Sequence, residues 1–130
     1  MSNELDVIFS TSYDDKYPPS NVLNSNNSMF WTSTGLYPQE LVVSLRQPKP
    51  LRELEIISNN IKKLSIETCE NDTAVKFITQ FEKDNISKSE GSLQTTKCAF
   101  SDTSYLNKII KIIIVEGYSK FCSINSIKIK

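Results

Sequence analysis

The chain contains no histidine, two arginines (Arg46 and Arg52), three glycines and one tryptophan in 130 residues. Without histidine there is no Ser-His or Cys-His nucleophilic pair, no imidazole acid or base, and no His-ligated zinc or iron. Gly35, Gly91 and Gly117 stand far apart, so no glycine-rich loop is available to cradle phosphate. Net charge is also missing. Fifteen Lys and Arg balance fifteen Asp and Glu, which leaves no general field for nucleic acid or an anionic membrane. The longest apolar run, Ile112 to Val115, is far too short to cross a bilayer. The opening MSNELDVIFS lacks the basic and apolar regions of a secretory signal. Three cysteines, Cys69, Cys98 and Cys122, are odd in number and lie in apolar segments. Reduced core thiols of a cytosolic protein are expected there. Sequons at Asn26, Asn71 and Asn85 are then accidents of an Asn- and Ser-rich composition. The carboxylate pairs Asp14-Asp15 and Glu53/Glu55 fall on a loop and on a polar strand face, where a solvated surface is expected. No enzyme is expected.

What the chain does have is alternation. Leu5–Ser10 reads as a strand, and Glu40–Arg46 as another with Leu41, Val43 and Leu45 on one face. Gln47-Pro48-Lys49-Pro50 should break it. Leu51–Ser58 and Ile61–Cys69 follow, separated by an Asn59-Asn60 turn. The next strand sets Val75, Phe77 and Phe81 against Lys76, Gln80 and Glu82. Leu93–Phe100, Tyr105–Glu116 and Phe121–Lys130 complete the series. About eight strands, spaced as in sandwiches and without a long helix-period segment, predict an all-β jelly-roll sandwich forming one domain over residues 1–130. Ile109–Val115 is apolar on both faces, so it should be a central strand covered on both sides.

Asp14 to Gln39 is a long loop that feeds this β domain. Tyr17-Pro18-Pro19 must be extended, because each Pro fixes φ and restricts its predecessor. Pro19 or Ser20 then opens a short helical turn near residues 19–24, setting Val22 and Leu23 against the core. The polar run Asn24 to Ser28 favours turns over helix. Phe30 and Trp31 re-enter the core before Thr32-Ser33-Thr34-Gly35 turns the chain.

The Pro segment, Asn-Val-Leu-Asn, the polar loop, Phe-Trp and the Thr/Ser-Gly turn resemble the opening of discoidin-type, galactose-binding-like jelly rolls. Thr11-Ser12, Asp14-Asp15-Lys16, Pro18-Pro19, Asn21 and the block Phe30-Trp31-Thr32-Ser33-Thr34-Gly35-Leu36-Tyr37-Pro38-Gln39-Glu40 resemble the intraflagellar transport protein 25 family (heat shock protein beta-11-like). Weaker matches continue through Glu82-Lys83-Asp84, Glu90-Gly91, Leu93-Gln94 and Tyr105-Leu106 to Phe121, Ser123 and Ser126.

The resemblance implies a non-enzymatic subunit of the intraflagellar transport B complex. Its implied partners are a Rab-like small GTPase, intraflagellar transport protein 27, and other B-complex subunits. It implies a place in the cilium or flagellum, the basal body and the cytoplasm, with no nucleic acid and no membrane insertion. The alternative is a free-standing carbohydrate- or ligand-binding discoidin-like module; a substrate-receptor domain of the anaphase-promoting complex fits less well, because that family's terminal extension is missing.

The related fold binds calcium in the loop matching Asn21 to Met29, through carbonyl oxygens, an acidic side chain and a hydroxyl. Here the acidic position carries Asn24 and the hydroxyl position Met29, and Lys128-Ile129-Lys130 stands where relatives often offer Glu. Calcium affinity follows carboxylate count. Asn21, Asn24, Asn26 and the Met29 carbonyl therefore outline a degraded metal site, and a loop held by Asn and Ser hydrogen bonds with no cofactor is the expectation. A sugar site would need an exposed aromatic platform and clamping charges. Trp31 is expected in the core instead, and both arginines flank the Pro48/Pro50 turn. What remains is a protein-binding face, with Ile57, Ile78 and one side of Ile109–Val115 as candidates.

Overall fold

Period-two burial runs through the strands. In Glu53–Asn59, Leu54, Ile56 and Ser58 are buried and their neighbours are not. In Gln94–Ala99 the buried set is Gln94, Thr96 and Cys98. A computed structural model of the chain describes residues 4–24, 29–73, 76–88 and 90–130. Its strands are β1 (Leu5–Ser10), β2 (Trp31–Thr32), β3 (Gln39–Lys49), β4 (Glu53–Asn59), β5 (Ile61–Cys69), β6 (Ile78–Lys83), β7 (Gln94–Ala99), β8 (Asn107–Gly117) and β9 (Ser123–Ile129). They form a five-stranded sheet, β1-β3-β8-β5-β6, and a four-stranded sheet, β2-β9-β4-β7. All pairings are antiparallel. One core lies between the sheets, with Leu41, Val43, Leu64, Ile66, Ile110, Ile112 and Ile114 from one and Trp31, Leu54, Ile56, Cys98 and Ile124 from the other. This is the expected jelly-roll sandwich. A 3₁₀ turn at Pro19–Leu23 stands where the helical turn was expected and buries Pro19, Asn21 and Val22.

The differences from expectation have local causes. Trp31–Thr32 is a ninth, two-residue strand paired with Ile124 and Ser123, too short to show alternation. β3 does not stop at Arg46. It runs on to Lys49 through Pro48, with an irregular register between Ser44 and Lys49. Pro is tolerated there because the ladder is interrupted, and Lys108 Nζ donates to the Leu45 carbonyl at 2.5 Å. The expected Asn59-Asn60 turn is a crossing between the two sheets. Asn60, at φ 67°, carries the chain from one sheet to the other, and Asn tolerates this left-handed conformation better than most residues. The Gln94 side chain replaces the missing ladder, accepting from Ile61 N–H at 2.9 Å and donating to Ile61 O at 2.7 Å.

In β6 the register shifts beside Glu67, and Gln80, expected on the polar face, is buried. Gln80 Oε1 accepts from Asp102 N–H at 2.9 Å. Phe77 precedes β6 and Val75 lies outside the described residues. β8 is central, between β3 and β5, but not because two layers cover it. Ile110, Ile112 and Ile114 face the core, whereas Ile109 packs outside with Val42, Cys69 and Phe77, and Ile113 and Val115 are half-buried.

All three cysteines are free and buried. Burial, with a lesser push from Glu53, raises the Cys98 thiol from its ordinary 9.0 to about 12. The unfolded thiol thus ionises first as pH rises. Stability from this group is fully present below pH 9 and is lost between about pH 9 and 12. The urea midpoint is expected to fall across that window, less steeply in Cys98→Ala. Equal slopes in the two proteins would show that Cys98 is not the buried group responsible.

Candidate binding surfaces

Thr11, Ser12, Ser33 and Gln39 hold together the two ends of the 11–40 region and tie it to β9. Ser12 Oγ and Thr11 Oγ1 both donate to Gln39 Oε1, at 2.5 and 2.6 Å, and Gln39 Nε2 donates to Leu36 O at 2.6 Å. Trp31 Nε1–H donates to Ser12 O at 2.9 Å, and Thr34 N–H to Ser12 Oγ at 2.9 Å. Ser33 exchanges hydrogen bonds with the Cys122 backbone at 2.9 and 3.0 Å. Ser12, Ser33 and Gln39 are buried, so the Trp-Thr-Ser-Thr-Gly-Leu-Tyr-Pro-Gln-Glu block is a structural knot joining the first loop to β9. It is not a set of presented catalytic groups. Elsewhere, Asp14 Oδ1 accepts the Lys16 N–H, and Glu53 and Glu55 both face Lys130 Nζ, at 3.6 and 3.8 Å.

The candidate metal loop is tied at both ends. Asn21 Nδ2 donates to Phe30 O at 3.0 Å, and the Asn21 carbonyl accepts the Asn24 N–H at 3.1 Å. Asn24 Nδ2 points to Met29 Sδ at 3.5 Å, a soft atom with no value to calcium. Asn26 lies outside the described residues. Among the described residues no three of His, Cys, Asp and Glu come together in a metal-binding group. The described part of the loop supplies amides and carbonyls but no carboxylate, a poor fit to a hard divalent cation.

Nor does a sugar platform form at Trp31, which is 0% exposed. Arg46 is committed to Asp6 at 3.1 Å on the five-stranded sheet, while Arg52 leads into β4 of the other. Of the expected interface residues, Ile57 and Ile78 are half-buried and Ile109 is buried. Two concave surfaces were not foreseen. A cleft of about 600 Å³ opens between Thr34–Tyr37 and Gly117–Phe121, with Leu36 90% exposed and Phe121 55% exposed. Inside it Tyr37 Oη donates to Ser119 O at 3.0 Å, and burial holds its phenol above the ordinary range. A groove of about 400 Å³ runs along Val7–Ser10 against Tyr13 and Pro18–Ser20. The available signal was Ile8-Phe9: two adjacent large apolar residues in a strand cannot both face one core.

Comparison with known proteins decides the family, although no family model matches the chain. Over 122 residues the chain is 34% identical to the intraflagellar transport protein 25 homolog of Homo sapiens, covering 94% of this chain and 83% of that protein. The chain belongs to the intraflagellar transport protein 25 family. The Chlamydomonas reinhardtii family member is 28% identical over 123 residues, covering 95% of this chain and 63% of the relative. Among solved structures, a family 32 carbohydrate-binding module of C. perfringens in complex with galactose superposes with a TM-score of 0.78 at 21% identity, covering 96% of this chain and 92% of that one. A chitosan-binding module from Paenibacillus has a TM-score of 0.78 at 12% identity, with 94% and 92% covered. At these identities the likeness establishes the jelly-roll fold that this family member shares, and no ligand.

Proposed function

We propose that the chain is a non-catalytic subunit of intraflagellar transport. In this reading it pairs with a Rab-like small GTPase, intraflagellar transport protein 27, within the B complex and serves as an adaptor surface for ciliary cargo. Kinship over 94% of the chain carries the reading. It is supported by Thr11, Ser12 and Gln39, whose hydroxyls and amide are engaged in holding the fold. Nucleotide chemistry falls to the partner, and the place of work is the cilium or flagellum, with the basal body and cytoplasm as staging sites. Affinity purification of the tagged chain from ciliated cells, followed by mass spectrometry, tests this. A Rab-like GTPase recovered in near-equal amount is the expected result. Recovery of glycoproteins without any GTPase would replace this reading with the carbohydrate-binding one, for which the Leu36–Phe121 cleft would be the site.

No cofactor is assigned to this role. The Asn21–Met29 loop is read as standing without calcium, so the melting temperature in millimolar calcium should match that in chelator within about 1 °C. A site with Kd a hundredfold below the added calcium would instead add about 2.7 kcal/mol, which the same melt would register as a rise of several degrees.

A further inference from the structure

Leu36 is the most exposed large apolar residue among those described, at 90%, and it lines the cleft of about 600 Å³. Tyr118 and Phe121, on the facing loop, are also exposed. Apolar surface gathered in this way marks a binding site. The two walls are tied together, because Tyr37 Oη donates to Ser119 O and Ser33 exchanges bonds with the Cys122 backbone. Other polar groups of the cleft are already engaged. Ser119 Oγ donates to Phe121 O at 2.8 Å, Tyr118 Oη donates to Ile86 O at 2.6 Å, and Leu36 O accepts from Gln39 Nε2. Among the described residues, Lys120 is the one charged side chain lining the cleft, and it makes no ion pair. A second positive charge lies close by, with Lys88 Nζ 5.8 Å from the Tyr118 ring centre. Glu116, next to Gly117, is set opposite Lys63 in the β5–β8 ladder.

We propose that this cleft docks an amphipathic helix of another polypeptide. Its apolar side chains close over Leu36, Tyr118 and Phe121, and its carboxylate meets Lys120. Each property of the occupant follows from the surface. An extended segment would lay unpaired backbone groups on walls whose hydroxyls and carbonyls are already bonded, and a buried polar group without a partner is destabilising. A helix satisfies its own backbone. A sugar meets the same shortage of free partners. A small apolar ligand inside the cleft would leave Leu36 standing in water, so the occupant reaches past the cleft and covers it. A second copy meeting this face with its own would bring another Lys120 and no carboxylate. The partner is therefore a different chain, and an acidic one. Such a helix presents its anchors at i, i+3, i+4 and i+7. The inference goes beyond the GTPase pairing and does not rest on it.

The test is an NMR titration of the ¹⁵N-labelled chain with the helix-forming peptide acetyl-EELEALLEKLAALEE-amide. One control puts proline in place of two alanines, which breaks the helix and keeps the leucines and glutamates. A second has lysine in place of every glutamate, which keeps the helix and inverts its charge. Saturable shift changes at Leu36, Tyr118, Lys120 and Phe121 are expected. The proline peptide should bind at least about tenfold more weakly, and the lysine peptide about threefold more weakly. Leu36→Asp with Phe121→Ser should abolish binding and leave the melting temperature unchanged, since both side chains are exposed. Lys120→Glu should reverse the order of the two charged peptides. Equal binding of either control peptide, or no saturable change at millimolar peptide, would overturn the proposal. So would galactose producing the same shifts, which would make the cleft a sugar site.

Discussion

Trp31→Ala is expected to remove roughly 3–5 kcal/mol of stability, the range for deleting a buried large aromatic. In a domain of this size that lowers the melting temperature by roughly 10–20 °C. Two losses combine. The indole is 0% exposed in the core between the sheets, and its Nε1–H satisfies the carbonyl of buried Ser12 at 2.9 Å. Ser12 in turn anchors Thr34 and Gln39, so the cavity opens at the knot and not at a loop tip. Trp31→Phe separates the two losses. It keeps most of the ring volume and orphans the carbonyl, at about 1–3 kcal/mol. Urea unfolding followed by circular dichroism measures both, since the only tryptophan fluorophore is lost. A cost below about 1 kcal/mol for the alanine variant would mean that Trp31 is not the keystone described here.

Gly117→Ala should be nearly as damaging, although the change adds a single methyl group. A Cβ at Gly117 would lie 2.1 Å from Tyr37 Oη, 2.5 Å from Tyr37 Cζ and 2.9 Å from the Asn60 carbonyl. The ring cannot simply swing away, because Tyr37 Oη is bonded to Ser119 O. The Asn60 carbonyl is held by the Tyr118 N–H at 2.8 Å, at the residue that carries the chain between sheets. Overpacking of this kind costs about 1–3 kcal/mol, and backbone in the clash places this site at the upper end. Adding Tyr37→Leu should recover part of the loss and leave the part owed to Asn60. An alanine variant with the wild-type urea midpoint would rule out the close approach.

How much of this was legible beforehand depended on the length and regularity of each segment. β5 matches its expected bounds because Ile61–Cys69 is long enough to reveal a period and ends at a polar turn, and β1 matches although LDVIFS alternates only in part. β3 was cut short because Pro48 reads as a terminator unless one knows that the ladder is already broken there. Gln80 and Gln94 look like surface residues by type. Each is buried because its amide stands in for backbone partners at a bulge or a sheet crossing, a role that sequence alternation cannot display. The knot was visible only as a family pattern, since Ser12 and Gln39 meet across 27 positions. The groove at Ile8 and Phe9 was hidden for the opposite reason. A bulge changes which face each residue takes, so the partial alternation of LDVIFS marked a strand without showing that Ile8 and Phe9 stay exposed.

The sheet order has a consequence for how the protein is made. β8 sits between β3 and β5, and β9 between β2 and β4, yet both come after all of those neighbours in chain order. Until Asn107–Ile129 has emerged, neither sheet has its interior, and β3, β4 and β5 wait as separated ribbons with their apolar faces bare. Non-local pairing of this kind folds slowly and exposes aggregation-prone surface meanwhile. Ribbons such as β1–β3, β4–β7 and β5–β6 can pair early, but both sheets close only when β8 and β9 arrive.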